Sequence, residues 1–305
     1  MIVRDKPTAW QLLFIMRGSI VPAIAPRLAV VTLLSILVVV LQDAGLLHLH
    51  EIATVPFSLI GIALSIFAGF RNSACYDRWW EGRKIFGQLL VDTRSLARQQ
   101  LAYVGPSDGD GARRSALRCI AFAHLLRDHV RGDRPGPEAL AVLDAEDALA
   151  VAGVRNPPNI LLGRMTQDIV SRGAVGLISA QAMQMLEERI VSLSGVLAGA
   201  ERIKGALVPY TYSLMLHRTA YLFCLLLPIG LGSTIGLWTP VVVAVVSYTF
   251  FGLDALGDEL EVPFGTGQNA LPLSAMTLGI EIDIREMLGE VDLPDAAQPV
   301  NYVLT

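Results

Sequence analysis

The chain has 305 residues, 53% of them hydrophobic and only 17% charged, with a mean hydropathy of +0.51. Soluble domains carry roughly 25% charged residues, so the composition points to lipid; the net charge of −4, from 24 basic and 28 acidic side chains, excludes the basic footprint of a nucleic-acid binder. Three scattered cysteines, Cys75, Cys119 and Cys224, have no CxxC spacing and imply neither a disulfide framework nor a zinc site.

The N-terminus "MIVRDKPTAW" places charge and proline where the apolar region of a secretory signal would start, so it is not read as one. From Leu28 to Phe70 there is no Lys or Arg, and none from Thr219 to Ile284. Within the first window "LAVVTLLSILVVVLQ" (Leu28 to Gln42) predicts a membrane helix, since about 20 apolar residues cross a bilayer. A loop with Asp43, His48, His50 and Glu51 follows. Its "HLHE" is too short a signal for a metal site and reads as a solvated turn.

The second apolar run, Val55 to Phe70, begins at Pro56, which suits a first helical turn. Its sixteen residues reach only about 24 Å at 1.5 Å per residue. Gly61, Ser65 and Gly69 recur every fourth residue and form a small stripe that lets membrane helices approach closely. Ile62, Ile66 and Phe70 form a large apolar stripe beside it. Two packings remain open at this point. Both stripes pack inside one membrane bundle, or copies of the helix meet through the small stripe and leave the large one facing a shared axis, where apolar rings gate by dewetting. The charged segment that follows, with Arg71, Asp77, Arg78, Glu81, Arg83 and Lys84, is expected to form pairs along its own helix. Trp79 and Trp80 stand where interfacial aromatics are expected, and helical signals continue past Arg98 as one long helix.

Residues 71 to about 210 are polar and helix-friendly. "RSALRCIAFAHLLRDHV" (Arg114 to Val130) carries a helical stripe. Pro135 to Gly153 reads as one helix between a start and a stop signal, and another begins at about Ile160 after "NPPN". "ISAQAMQMLEERIVSLSGVLAGAERI" continues as a long amphipathic helix. Ala220 to Leu231 and Thr239 to Leu256 make a second apolar hairpin around an uncharged turn. After Leu256 the chain turns acidic, then "PLSAMTLGIEIDIREMLGE" reads as a further helix, and the tail from Val291 is expected to lie extended.

The expected layout is all-α, with four transmembrane helices per chain: a segment 1–27, a first hairpin 28–70, a helical body 71–210, a second hairpin 211–256, and a terminal helix and tail 257–305. Lys and Arg concentrate on the cytoplasmic side, so both termini are expected inside. No GxGxxG, GxxxxGK[ST] or HExxH occurs, and the spans hold almost no ionisable groups, which weighs against an enzyme and against proton-coupled transport. Only Pro228 interrupts a span, unlike the broken, repeated helices of transporters.

"FRNSACYDRWWEGRKIFGQLLVDTRSLARQ" (Phe70 to Gln99), with Arg71, Asp77, Arg78, Trp79 and Trp80, resembles the signature segment of the bestrophin family, prokaryotic branch. "VPYTYSLMLHR" (Val208 to Arg218) and "ELEVPFGTGQNALPLSAM" (Glu259 to Met276) resemble two further family segments in the same order. The resemblance implies a homopentamer around one pore in the bacterial inner membrane, with the bilayer and permeating ions as its other partners and no cofactor. It places Ile62, Ile66 and Phe70 in a hydrophobic neck, with Gly61, Ser65 and Gly69 packing the neck helices. It places a cytosolic aperture at Ala180, with Ile178 second. Animal bestrophins bind calcium just after Pro-Phe-Gly, whereas here Pro263, Phe264 and Gly265 precede "TGQNA", without a carboxylate, so no calcium gating is expected. With neutral neck rings, an acidic balance, and Asp43 and Glu51 near the outer mouth, a preference for monovalent cations is expected. An anion channel of the same architecture is the alternative, and a non-conducting scaffold the less favoured one.

Overall fold

The computed structural model describes residues 1–4, 8–16, 18–47 and 54–305; His48, His50 and Glu51 of the "HLHE" turn lie outside them. Among the described residues the secondary structure is helical, with only isolated β-bridges. The helices are α1 (Ala9–Phe14), α2 (Val21–Asp43), α3 (Thr54–Tyr103), α4 (Gly109–Arg131), α5 (Pro137–Ala141), α6 (Ala145–Val151), α7 (Pro157–Ala174), α8 (Ala180–Gly205), α9 (Tyr210–Ile235), α10 (Thr239–Glu261) and α11 (Leu273–Met287). A 3₁₀ turn, Gly236–Trp238, joins α9 to α10.

The chain forms two compact units. The hairpin unit comprises Arg4–Trp79 and Leu207–Val262, and the body comprises Met1–Val3, Trp80–Ala206 and Pro263–Thr305. In the hairpin unit α2, α9 and α10 pack on one another. Their core holds Ile24 and Val31 from α2, Phe223, Cys224 and Leu227 from α9, and Val243, Phe250 and Phe251 from α10, with Leu64 of α3 built into it. The levels are readable from close approaches. A β-carbon added at Gly252 would stand 3.8 Å from Ile20, at the start of α2, whereas one at Gly232 would meet Gln42, at its end. The start of α2 therefore lies beside the end of α10, and its own end beside the end of α9. Polar groups within these helices turn inward on the backbone: Thr32 Oγ1 donates to the Leu28 carbonyl at 2.8 Å and Thr219 Oγ1 to that of Met215 at 2.8 Å. That is how an apolar surround tolerates them.

The body is built as a soluble core. Asp108 caps α4 by accepting from the Gly111 N–H at 2.9 Å, and Gly132 ends the helix in the left-handed region, φ 84°. Asn156 caps α7 ahead of Pro157 and Pro158. Where one helix was expected from Pro135 to Gly153, the structure has two, α5 and α6. The Asp144 side chain accepts from the Asp147 N–H at 2.8 Å and starts a new helix there, a local alternative that short polar side chains offer the backbone. Asp147 is fully buried, with Arg118 Nε at 2.5 Å and Arg164 bonded on its other oxygen. Burial alone would raise the Asp147 carboxyl, but hydrogen bonds from Arg118 and Arg164 hold it below the usual range. Arg118 and Arg172 both reach Asp168 at 2.9 Å, and Arg172 continues to Asp108 at 3.1 Å. The tail carries no helix after Met287 and reverses in a tight turn at Asn301 and Tyr302, φ 52° and 68°, where Val300 and Val303 pair with each other; Val303 also pairs with Ile2.

A candidate pore-lining helix

α3 is continuous for 50 residues. With 3.6 residues per turn, Phe57, Gly61, Leu64, Ala68 and Arg71 fall on one side of it, and that side is the one fitted into the hairpin unit. Leu64 is buried in the core, and Gly61 lies so near α9 that an added β-carbon would stand 3.2 Å from the Phe223 ring. Phe57 presses on Gly230, where a β-carbon would stand only 2.6 Å from the ring. Ile62, Ile66 and Phe70 occupy the opposite side and are 59, 51 and 64% exposed, with Ile62 and Ile66 also lining the groove that Phe223, Leu227 and Phe250 back. Leu59, Ile60 and Phe67 are exposed as well, so the apolar part of α3 leaves a broad bare surface and buries only its inward face.

The stripe of small residues divides in two. Gly61 is taken up by Phe223 of the same chain, whereas Gly69 meets nothing within 4 Å. Ser65 is exposed, and its hydroxyl donates back to the Gly61 carbonyl at 2.8 Å, so it presents no free donor to its surroundings. Ser58, Gly61 and Ser65 edge an open apolar groove of about 500 Å³, backed by Phe223, Leu227 and Phe250. Ile60 and Phe67, both exposed, stand on the other edge of the helix.

Immediately after Phe70 the character changes. Arg71 is 3% exposed; its Nη1 donates to the Asp254 carbonyl at 3.1 Å and to Asp254 Oδ1 at 3.3 Å, and its Nη2 to Asp258 at 2.5 Å and Glu261 at 3.2 Å. Nδ1 of His217 lies 2.7 Å from the second Asp254 oxygen. Asn72 donates to the Leu253 carbonyl at 3.1 Å, and Arg78 to the Glu261 carbonyl at 3.2 Å. The charges after the apolar run were expected to pair along α3. Instead Arg71 and Arg78 are held by the end of α10, and Glu81 pairs with Arg202 of α8. The reason is geometric: Arg71 shares the inward face with Leu64, so its partners come from the helices packed there. Trp79 stacks on Tyr76 at 6.2 Å, while Asp77 and Trp80 are exposed.

In the body, Ala180 is the exposed first residue of α8, set by Ser179, whose hydroxyl accepts from the Ala182 N–H at 3.1 Å. Ile178 is buried, which makes it part of the body's own packing. Val175 and Leu177, around Gly176 at φ 74°, are the exposed apolar residues of this turn. Sequence reasoning passed over them, although "AVGLIS" carries two large apolar side chains flanking a turn glycine. Pro263 to Gly265 also belongs to the body: Phe264 packs on Phe86 with ring centroids 5.5 Å apart, and its edge would stand 3.0 Å from a β-carbon at Gly82. Among the described residues no group of three or more His, Cys, Asp or Glu side chains is placed to hold a metal ion.

A continuous helix with one side in a helical hairpin unit, a buried arginine on three carboxylates at its turning point, and a helical body beyond it define a class. The family described as Bacterial/Fungal Bestrophin protein matches residues 1–286, and the chain belongs to that family, whose members are ion channels and not enzymes. It is 43% identical over 290 residues, 95% of this chain and 93% of the relative, to the voltage-dependent anion channel-forming protein mll4386 of Mesorhizobium japonicum. It is 40% identical over 307 residues, the full length of both chains, to the voltage-dependent anion channel-forming protein YneE of Salmonella typhi. The crystal structure of a bacterial bestrophin homologue from Klebsiella pneumoniae superposes with a TM-score of 0.81 at 36% identity, covering 88% of this chain and 99% of that one.

These relatives overturn the expected cation preference, since both are named as anion channel-forming proteins. The expectation rested on the net charge and on Asp43 and Glu51. Asp43 closes α2 rather than standing on α3, Glu51 lies outside the described residues, and a net charge does not say where its side chains stand.

Proposed function

We propose that copies of this chain assemble into an anion channel of the inner membrane, with Ile62, Ile66 and Phe70 of each copy facing one central pore. The observation that carries this reading is that those three side chains stand exposed on the side of α3 opposite the one packed into the hairpin unit. A helix with a second apolar face needs a second surface, and neighbouring copies of α3 supply it. The exposed small edge, Ser65 and Gly69 with the outer part of Gly61, admits the bulkier edge of the next copy, Ile60 and Phe67. Such a head-to-tail contact is heterologous and closes into a ring, and the family resemblance sets that ring at five. α2, the apolar part of α3, α9 and α10 are the four spans, and the basic residues beyond them place both termini in the cytoplasm. Arg71, Asp77, Arg78, Trp79 and Trp80 mark the inner boundary, and Ala180, exposed at the start of α8, lines the cytosolic aperture. The neck is neutral, so it restricts passage by size and dewetting, and the choice of anions follows the relatives.

The test is a planar-bilayer recording of the purified protein under asymmetric KCl. A reversal potential near the chloride Nernst value supports the reading, and one near the potassium value overturns it. Ile66→Ala is expected to raise single-channel conductance; an unchanged conductance removes Ile66 from the neck. Native mass spectrometry reads the number of subunits.

A further inference from the structure

The neck leaves one group of exposed aromatic side chains unused. α1 is a single short helix, closed at its start by Gln11, whose side chain accepts from the Thr8 N–H at 3.0 Å. Trp10 and Phe14 stand four residues apart, hence on one side of it, and are 78 and 79% exposed; Met16 just beyond is also exposed. An aromatic pair this open, on a segment leading directly into an apolar helix, is not core.

Its level relative to the hairpin unit follows from the contacts already described. Six residues separate α1 from α2, and Ile20 and Ile24 sit beside Gly252, in the second half of α10. That is the end at which Arg71 is held by Asp254, Asp258 and Glu261, and at which α9 begins with exposed Tyr210. At the far end, Leu237 and Trp238 are exposed in the turn between α9 and α10. The 26 residues of α9 separate these two aromatic levels by about 39 Å at 1.5 Å per residue. A bilayer including its headgroup regions is about 40–45 Å thick, and Trp and Tyr collect at both of its interfaces. Residues 1–20 also carry Arg4, Lys6 and Arg17 against a single Asp5, the charge sign that anionic headgroups attract.

We infer that α1 is an interfacial anchor, lying in the headgroup layer at the Arg71 end of the spans with Trp10 and Phe14 inserted toward the acyl chains. Continuity with α2 and the positive charge around α1 select a lipid surface over a second copy of the chain. The inference rests on α2 and α9 lying in a bilayer as proposed above.

Cys75, Cys119 and Cys224 are buried, so a thiol introduced on α1 is the one open to a maleimide. Full-length protein carrying Phe14→Cys, and separately Trp10→Cys, is labelled with an environment-sensitive fluorophore and reconstituted in phosphatidylcholine–phosphatidylglycerol vesicles. A third sample carries the probe at Val30→Cys, an exposed position of α2. The anchor predicts, for both α1 probes, strong quenching by a nitroxide placed high on the lipid chain and several-fold weaker quenching by aqueous iodide than the free dye shows. With Val30 quenched by lipid, iodide-quenched α1 probes overturn the anchor alone, and α1 probes shielded from both quenchers assign α1 to a contact between copies and overturn it too. If the Val30 probe is itself untouched by lipid, the span reading and the anchor fall together.

Discussion

The two halves of α3 are opposite solutions to one problem. From Val55 to Phe70 the helix turns Phe57, Gly61, Leu64 and Ala68 inward and leaves Ile62, Ile66 and Phe70 open, together with Ser65 and Gly69. Beyond Trp80 the order reverses: Phe86, Leu89 and Leu96 are fully buried, Asp92 bonds to Ser192 of α8 at 2.6 Å, and the exposed positions include Arg83, Lys84 and Gln88. The second half is finished by its own chain. The first half is not: Leu59, Ile60, Ile62, Ile66, Phe67 and Phe70 are exposed there, against Val91 and Tyr103 in the second.

Five measurements break or sharpen that contrast. Arg71→Ala strands Asp254, Asp258 and Glu261 without their cation and is expected to destabilise the hairpin unit by about 3–5 kcal/mol; thermal unfolding in detergent reads it, and an unchanged midpoint refutes the role given to Arg71. Phe86→Ala opens a cavity against Phe264 and is expected to destabilise the body by about 3–5 kcal/mol, leaving the conductance of the surviving assembled protein unchanged.

Glu281→Gln comes next. The hydrogen bond from His124, 2.8 Å away, holds the Glu281 carboxyl below its usual range despite burial. A carboxyl whose folded value is depressed stabilises fully above its unfolded value and loses that stability as pH falls through the folded one. The wild type should therefore lose stability as pH falls below about 4.3, the ordinary Glu value, and the Gln variant should lose less over that range while being weaker at neutral pH by about 1.5–3 kcal/mol. Parallel pH profiles for the two proteins would refute this.

Gly230→Ala drives a methyl into Phe57 and is expected to cost about 1–3 kcal/mol, read by thermal unfolding. Ile66→Ala closes the series with an effect on stability of less than about 0.5 kcal/mol, since its side chain is open in the single chain, together with the conductance change given above. A large loss of monomer stability in Ile66→Ala would place that residue in packing within the chain.

What could be read beforehand follows the range of each interaction. The length of α3 and the coexistence of two stripes on it are local, periodic properties, and Gly61, Ser65 and Ile62 declare them at four-residue spacing. Which stripe faces inward depends on Phe223, more than 150 residues away, and no periodicity reports that. The partners of Arg71 lie equally far along the chain, and the sequence favoured nearer carboxylates on α3 that point elsewhere. The break between α5 and α6 was missed because Asp144, Glu146 and Asp147 look like exposed helix until one sees Asp147 buried under two arginines. Ion preference failed for a different reason. Net charge carries no positions, and selectivity depends on which side chains stand along the ion's path.

The closeness of Gly230 to Phe57 has a genetic consequence. Positions 57 and 230 cannot drift independently: a side chain at 230 is tolerable only after the ring at 57 shrinks. Gly230→Ala and Phe57→Leu should each be harmful alone and partly rescue one another when combined, so that a random library of this gene recovers them as a pair.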